Sequence, residues 1–471
     1  MQIQKIDCNE GINNTRYWPN YQNFRGDVGR LKAIIMQPDA FVSTYYRTHG
    51  HIDVKDYVMQ LFKQLKAVGK KEGFVVGFQD NNKRIHLISD NLQQIKNDAI
   101  KMSCWAQDNG IYTLDRMGKP MILENALIRE SEAGLLKARA KTLGVRFKQM
   151  FSRADGGNTY FGVTENGERY ILIGSNAIDD TALKIALHQQ SIELKNLQEA
   201  SNGTVRIDFK DKHYYTRIND IVNGTMAKEL PDELKQNSEI AVKNLRKNID
   251  TLRLEAKKAL ANDFEMEIDQ VRVVSSPGFH IDMFMRPIDE KTIVVNNPDL
   301  TRTILKKEAL ASETPEKANE INKILNDISA FENQRVKENG YAPMDKIISE
   351  LRDLGYEEII EVPGIFGNGN TNYLNALVHQ RPNGDYVYIT NTGSRSQDVL
   401  NLNEIFQNTL QEKFPRLKEF YFLGDIKGTP ISDVVGNPNK ERFFINELLS
   451  LEDGGTHCCS FEMLTPQKVT R

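Results

Sequence analysis

Met344-Asp345-Lys346-Ile347-Ile348-Ser349-Glu350-Leu351-Arg352-Asp353-Leu354-Gly355-Tyr356-Glu357-Glu358-Ile359-Ile360-Glu361-Val362-Pro363 holds one complete helix-to-strand unit. Its apolar residues first recur at helical spacing, and Gly355 supplies a stop. Residues Tyr356 to Val362 then read as a strand running into Pro363. Similar units lie on both sides. Leu31–Met36 reads as a strand ended by Pro38, followed by a helix carrying Val54, Tyr57, Val58, Leu61, Phe62, Leu65 and Val68, with Gly69 as its stop. Strands are expected at Phe74–Phe78, Arg84–Ile88, Tyr170–Gly174, Val271–Ser275, Thr292–Val295, Tyr386–Ile389 and Glu419–Leu423. Alternation of this kind defines an α/β chain. No internal repeat stands out by identity.

Two stretches depart from the alternation. Residues 180–262 are rich in Lys, Glu, Asn and Leu, with Leu245, Ile249, Leu252 and Leu260 on one helical face. Residues 303–338 are similar, with Ile321, Ile324, Leu325, Ile328 and Phe331. Both are expected to be helical caps on the core; a partner-binding surface or lid is the alternative. Residues 1–25 are polar and irregular and are expected to form a flexible arm.

The 471 residues are 39% hydrophobic and 27% charged, enough for a large core, and the net charge of -3 gives no reason to expect nucleic acid or an anionic membrane as partner. No apolar run approaches the roughly 20 residues of a membrane span. Met1 to Asp7 lacks the apolar stretch of a secretory signal, so the expected location is cytoplasmic, with signal-independent secretion left open. Four cysteines are too few for a disulfide scaffold, and Cys8, Cys104 and Cys458-Cys459 are badly spaced for zinc.

Four short stretches carry the chemistry: Trp105-Ala106-Gln107-Asp108, Asp155-Gly156-Gly157-Asn158, His280-Ile281-Asp282 and Gly454-Gly455-Thr456-His457-Cys458. Together they offer carboxylates, an imidazole and a thiol. A guanidinium is a planar cation whose N–H edges match carboxylates. Its central carbon is a poor electrophile, so attack needs a strong nucleophile such as a thiolate. The departing amine needs a proton, which histidine can supply. Cys458 is the expected nucleophile, with Cys459 as local competitor and His457 as a structural residue. On a strand, His280 and Asp282 would share one face. Trp105 beside Asp108 suits a cation slot. Asp155 ranks below Asp108 as a ligand because it opens a turn-like stretch, and Asp115 is the alternative acid.

In this order the four motifs resemble those of the guanidino-group-modifying enzyme superfamily, which includes agmatine, arginine and peptidylarginine deiminases and amidinotransferases. Trp105-Ala106-Gln107-Asp108 is similar to the Trp-x-Gln-Asp or Trp-x-Arg-Asp of these enzymes, and Asp155-Gly156-Gly157-Asn158 to their Glu-Gly-Gly-Asn. His280-Ile281-Asp282 resembles their His-x-Asp, and Gly454 to Cys458 the Gly-Gly-x-His-Cys of agmatine deiminases. Asn372-Tyr373-Leu374-Asn375-Ala376-Leu377 and Phe414-Pro415-Arg416 resemble the last module of agmatine deiminases. Two positions depart from the small-molecule pattern: Asp155 stands for Glu, and Gln107 for Arg.

The resemblance implies a pentein-like five-bladed α/β propeller with pseudo-fivefold symmetry, formed by residues 26–471 and interrupted by a helical insertion at 185–262. It implies a cysteine-dependent deiminase acting through a covalent thiouronium and releasing ammonia and a ureido product. Cys458, His280, Asp282 and Asp108 would be catalytic. Asp108, Asp155, Asp282, Trp105 and Asn158 would bind a guanidino small molecule or a protein arginine. Neither metal nor organic cofactor is implied. A bound cation and a charged His280 would depress the thiol pKa of Cys458. The alternatives are an amidinotransferase, a protein-arginine deiminase docking its substrate on the insertion, and a non-catalytic interaction protein on the same fold.

Overall fold

The computed structural model describes residues 29–37, 54–79, 83, 85–86, 106–127, 132–164, 167–197, 204–226, 229–364, 372–392, 402–427, 442–444, 456–458 and 460–465. The expected arm at 1–25 lies outside them. The chain is mixed α/β, and five sheets repeat one topology.

In module I, β1 (Arg30–Met36) leads through α1 (Val54–Glu72) to β2 (Val75–Gln79), which is parallel to it, and a two-residue β3 (Ile85–His86) adds an edge. Module II pairs β4 (Gly110–Leu114) antiparallel with β5 (Pro120–Glu124), then passes through α2 (Leu135–Leu143) to a parallel β6 (Arg146–Gln149). Module III repeats this with β7 (Thr159–Val163), β8 (Arg169–Gly174) and α3 (Ser175–His188). An insertion follows: β9 (Glu193–Leu197), β10 (Thr204–Phe209), β11 (Lys212–Arg217), α4 (Ile218–Asn223), α5 (Asp232–Lys247) and α6 (Ile249–Asp263). The module then closes with β12 (Val271–Val274), parallel to β8.

Module IV runs β13 (Met285–Pro287), β14 (Thr292–Asn296), α7 (Pro298–Leu310), α8 (Pro315–Asn333), α9 (Met344–Asp353) and β15 (Glu358–Val362). Module V runs β16 (Leu377–Gln380), β17 (Tyr386–Asn391), α10 (Leu402–Lys413) and β18 (Leu417–Leu423). A short pair, β19 (Asp425–Lys427) and β20 (Arg442–Phe444), follows it. Finally β21 (Ser460–Thr465) returns to pair antiparallel with β1, which gives module I the antiparallel strand it lacked.

The middle strands are apolar on both faces, as strands covered on two sides must be. Every residue of β14 and β17 is buried. The apolar clusters cross module boundaries. One joins V, I, II and III, a second joins III to IV and a third joins IV to V. Module V also meets module I where the Leu31 amide donates to His379 Nδ1 at 3.0 Å.

The structure revises several local expectations. Helix α1 runs past Gly69 and stops at Gly73, whose φ of +84° suits a helix end. Gly69 stays helical, and a Cβ there would come 2.7 Å from the Phe74 carbonyl oxygen. The insertion is not wholly helical: its first part is a three-stranded antiparallel sheet in the order β11-β10-β9. Val205, Ile207 and Phe209 alternate inward with period two, and the β10–β11 turn at Lys210-Asp211 has φ of +47° and +62°. Segment 303–338 is a cap. Ile321, Ile324 and Ile328 are buried in the cluster that joins modules IV and V.

Candidate active site

Each module sends one loop toward a common point, and in every case the loop immediately precedes the module's antiparallel strand. Asp108 lies just before β4, Asn158 before β7, Asp282 before β13, Asn375 before β16 and Cys458 before β21. The loops bond to one another in order. The Gln107 amide donates to the Cys458 carbonyl (3.1 Å), Gly156 to Gln107 (3.1 Å) and Asp282 to Gly157 (3.0 Å). Asn375 Nδ2 donates to Asp282 Oδ2 at 2.8 Å, and the His457 amide donates to the Asn375 carbonyl at 3.4 Å. The circuit therefore returns to the loop where it began.

The glycines of the second motif make this approach possible. A Cβ on Gly156 would lie 2.5 Å from Gln107 Cγ, and one on Gly157 would lie 2.4 Å from His280 Nδ1. Both are closer than carbon and its neighbours pack, so a side chain at either position would push two loops apart.

Three reactive groups meet inside the ring. The thiol of Cys458, one ring nitrogen of His280 and one carboxylate oxygen of Asp282 lie within 4.8 Å of one another. Cys458 is buried and unpaired in any disulfide. Its Sγ is 3.4 Å from Asp282 Oδ2 and 3.0 Å from Asn375 Nδ2, while its amide donates to Asn375 Oδ1 at 3.1 Å. Asp282 Oδ2 also meets His457 Nδ1 at 2.7 Å. Its Oδ1 is buried with no hydrogen-bond partner among the described residues, an acceptor left for a ligand. The same thiol, imidazole and carboxylate form a donor set that could hold a metal ion, although Asp282 Oδ2 is already engaged by His457 and Asn375.

His280 and Asp282 do not share a strand. Residues Ile281–Met283 form a 3₁₀ turn with His280 extended before it, and this turn brings both side chains to the site. Ile281, Met283 and Phe284 are buried around it, whereas Phe279 is partly exposed with its ring 4.4 Å from that of His280. Asp155 pairs with His280: Oδ1 is 3.2 Å from Nε2 and accepts the Asn158 amide at 2.8 Å. Burial works against the charge on His280, but Asp155, Asp108 and Asp282 outweigh it and raise the imidazole to about 10. The reciprocal effect of His280 holds the Asp155 carboxyl below the usual range against burial.

Burial, then the charges of Asp282 and Asp108, push Cys458 well above an ordinary cysteine, and the Asn375 hydrogen bond only partly opposes them. Two carboxylates face the sulfur while the nearby imidazolium is matched by Asp155, so these charges favour the protonated thiol.

Asp108 is half-buried and acts electrostatically on both His280 and Cys458. Asp115, the alternative acid, sits at the far end of β4, where Oδ1 accepts the amides of Met117 (2.9 Å) and Lys119 (2.8 Å) and shapes the hairpin. Trp105, Gly454, Gly455 and Cys459 lie outside the described residues. Asn375 and His457 are the side chains at the centre that motif reading did not select. Asn375 has a signal in its placement, since it precedes a buried apolar strand as Asp108 does.

No family model and no curated protein matches the chain. Solved structures do. The chain is similar to the agmatine deiminase of C. jejuni at 14% identity, covering 95% of this chain and 98% of that one, with a TM-score of 0.46. It is similar to the agmatine deiminase of Enterococcus faecalis at 10% identity, with coverage of 94% and 96% and a TM-score of 0.46. An amidinotransferase from Microseira wollei gives 10% identity, coverage of 96% and 99%, and a TM-score of 0.40.

Proposed function

We propose that the protein is a cysteine-dependent deiminase of an arginine-like guanidino group, and that its five modules close as blades around the axis where the loops meet. The single observation behind this reading is the meeting of the Cys458 thiol, the His280 imidazole and an Asp282 oxygen within 4.8 Å. The repeated module topology, the β21–β1 pairing and the ordered bonds between loops support the closed arrangement.

A guanidinium enters between Asp282 and Asp108. Asp282 Oδ1 accepts one of its N–H groups. The positive charge offsets the two carboxylates that kept the thiol neutral, so Sγ loses its proton to solvent as the cation binds. The thiolate, steadied by Asn375 Nδ2, forms a C–S bond to the central carbon. Protonated His280, held by Asp155, gives its proton to the departing nitrogen as the C–N bond breaks, and ammonia leaves. Neutral His280 then takes a proton from water, which attacks the same carbon. The C–S bond breaks, and a ureido product is released.

The test is ammonia release measured across agmatine, free arginine, methylated arginines and arginine-containing peptides, with no amine acceptor present. Release from one of these supports the deiminase. Turnover that requires an added amine would make the protein an amidinotransferase, and no turnover with any substrate would overturn the reading.

A further inference from the structure

Behind Asp282 lies a line of charged side chains that the reaction above does not use. His457 Nδ1 is 2.7 Å from Asp282 Oδ2, and its Nε2 is 3.2 Å from Glu462 Oε1. On the far side of Glu462, Arg286 Nη2 is 3.5 Å from the same oxygen. All four side chains are buried, those of His457, Asp282 and Arg286 completely. The Arg286 guanidinium also lies 5.3 Å from the centre of the Tyr160 ring. Two carboxylates and two cations sum to zero, so the line is neutral only when the imidazole is charged. A buried uncompensated charge is costly, which favours that state. Burial opposes it, but Asp282 and Glu462 prevail and raise His457 to about 9.

We propose that His457 is a positioning residue: an imidazolium set between two carboxylates, its Nε2 facing Glu462, that fixes Asp282 through Oδ2 and so presents Oδ1 to the guanidino substrate. Being adjacent in sequence, His457 and Cys458 link the setting of the carboxylate to the placing of the sulfur. The inference rests on the deiminase reading for its substrate, but not for its charge state.

Two substitutions separate the ends of the ring. The Asn amide of His457→Asn occupies the place of Nδ1 and can still donate to Asp282, whereas the amide of His457→Gln occupies that of Nε2 and reaches only toward Glu462. The expected result is a KM within about threefold of wild type for His457→Asn and at least about tenfold above wild type for His457→Gln, the latter a loss of roughly 1.4 kcal/mol or more. Equal KM values, with both variants merely losing melting temperature, would overturn the positioning role. Nitrogen-15 spectra of the histidine-labelled wild-type protein at pH 8 need no activity and no variant at 457. Two long-lived imidazolium rings are expected, and His280→Asn removes one of them. A neutral second ring would overturn the proposal even if both 457 variants failed to fold. If none of agmatine, arginine, methylated arginines and arginine-containing peptides turns over, the deiminase reading fails while the spectra still decide the state of His457.

Discussion

The crossovers of modules II and III join equivalent strands by very different routes. In module II the chain passes from β5 to β6 through residues 125–145, with one short helix among the described residues. In module III it leaves β8 and returns in β12 only after residues 175–270, whose described residues include a three-stranded sheet and four α-helices. Yet the loops entering the two modules, carrying Asp108 and Asp155, meet through the same kind of backbone bond. A parallel connection constrains where its two strands lie and leaves what fills the gap free. The ring of loops is thus insulated from the insertions, and the expected effects of substitution divide accordingly.

The largest effect belongs to the ring. Cys458→Ser is expected to lower ammonia release by about four orders of magnitude, because an alcohol cannot supply the nucleophile near neutral pH; Cys459→Ser should keep most of the activity. Equal losses would move the nucleophile. Next comes Gly157→Ala, whose methyl group meets the His280 ring. A fall in kcat of about 10²-fold is expected, together with roughly 1–3 kcal/mol of destabilisation. An unchanged kcat would mean that the ring tolerates a shifted imidazole.

Asp108→Asn separates binding from reactivity. It should raise the KM by about tenfold or more. It should also speed alkylation of Cys458 by iodoacetamide in the empty enzyme, since a charge that holds the thiol neutral is gone. Asp115→Asn should change neither, and should weaken only the β4–β5 hairpin, by about 1 kcal/mol. The opposite pattern would exchange the roles of the two acids.

Stability against pH reports on the same centre. His280 and His457 are raised from 6.5 to about 10 and about 9, so what they contribute is complete below about 6.5 and is lost as pH climbs through 9 and 10. Chemical denaturation midpoints should fall over that range in wild type and fall less in His280→Asn. A flat profile would mean that the two imidazoles are neutral in the fold.

The smallest effect belongs to the insertion. Replacing Lys210-Asp211 by Asn-Gly fits the positive φ of both turn residues and should raise stability by about 0.5–1 kcal/mol with no change in kcat. A changed kcat would end the insulation argument.

Much of the frame is legible in the sequence. Apolar runs such as Tyr170–Gly174 and Thr292–Val295 announce strands because they lie in the middle of their sheets, covered on both faces. The antiparallel strands that follow the site loops do not announce themselves. β13 is only Met285–Pro287, and β7 begins at Thr159, so neither shows a period. The repeat stays hidden in identity for the same reason: what recurs is a position ahead of a strand, filled in turn by Asp108, Asn158, Asp282, Asn375 and Cys458. His457 was unreadable as a partner of Asp282, because nothing local says that residues 175 positions apart will touch.

The pairing of β21 with β1 has a consequence for synthesis. Chains emerge amino terminus first, and early modules can begin to fold while later ones are still being made. β1 must wait for β21, made more than 400 residues later, to cover its edge, and the sulfur rides on the segment that arrives with it. On the proposed reading, a partly translated chain can be folded over much of its length and still be chemically silent, its reactive centre assembled only when β21 docks.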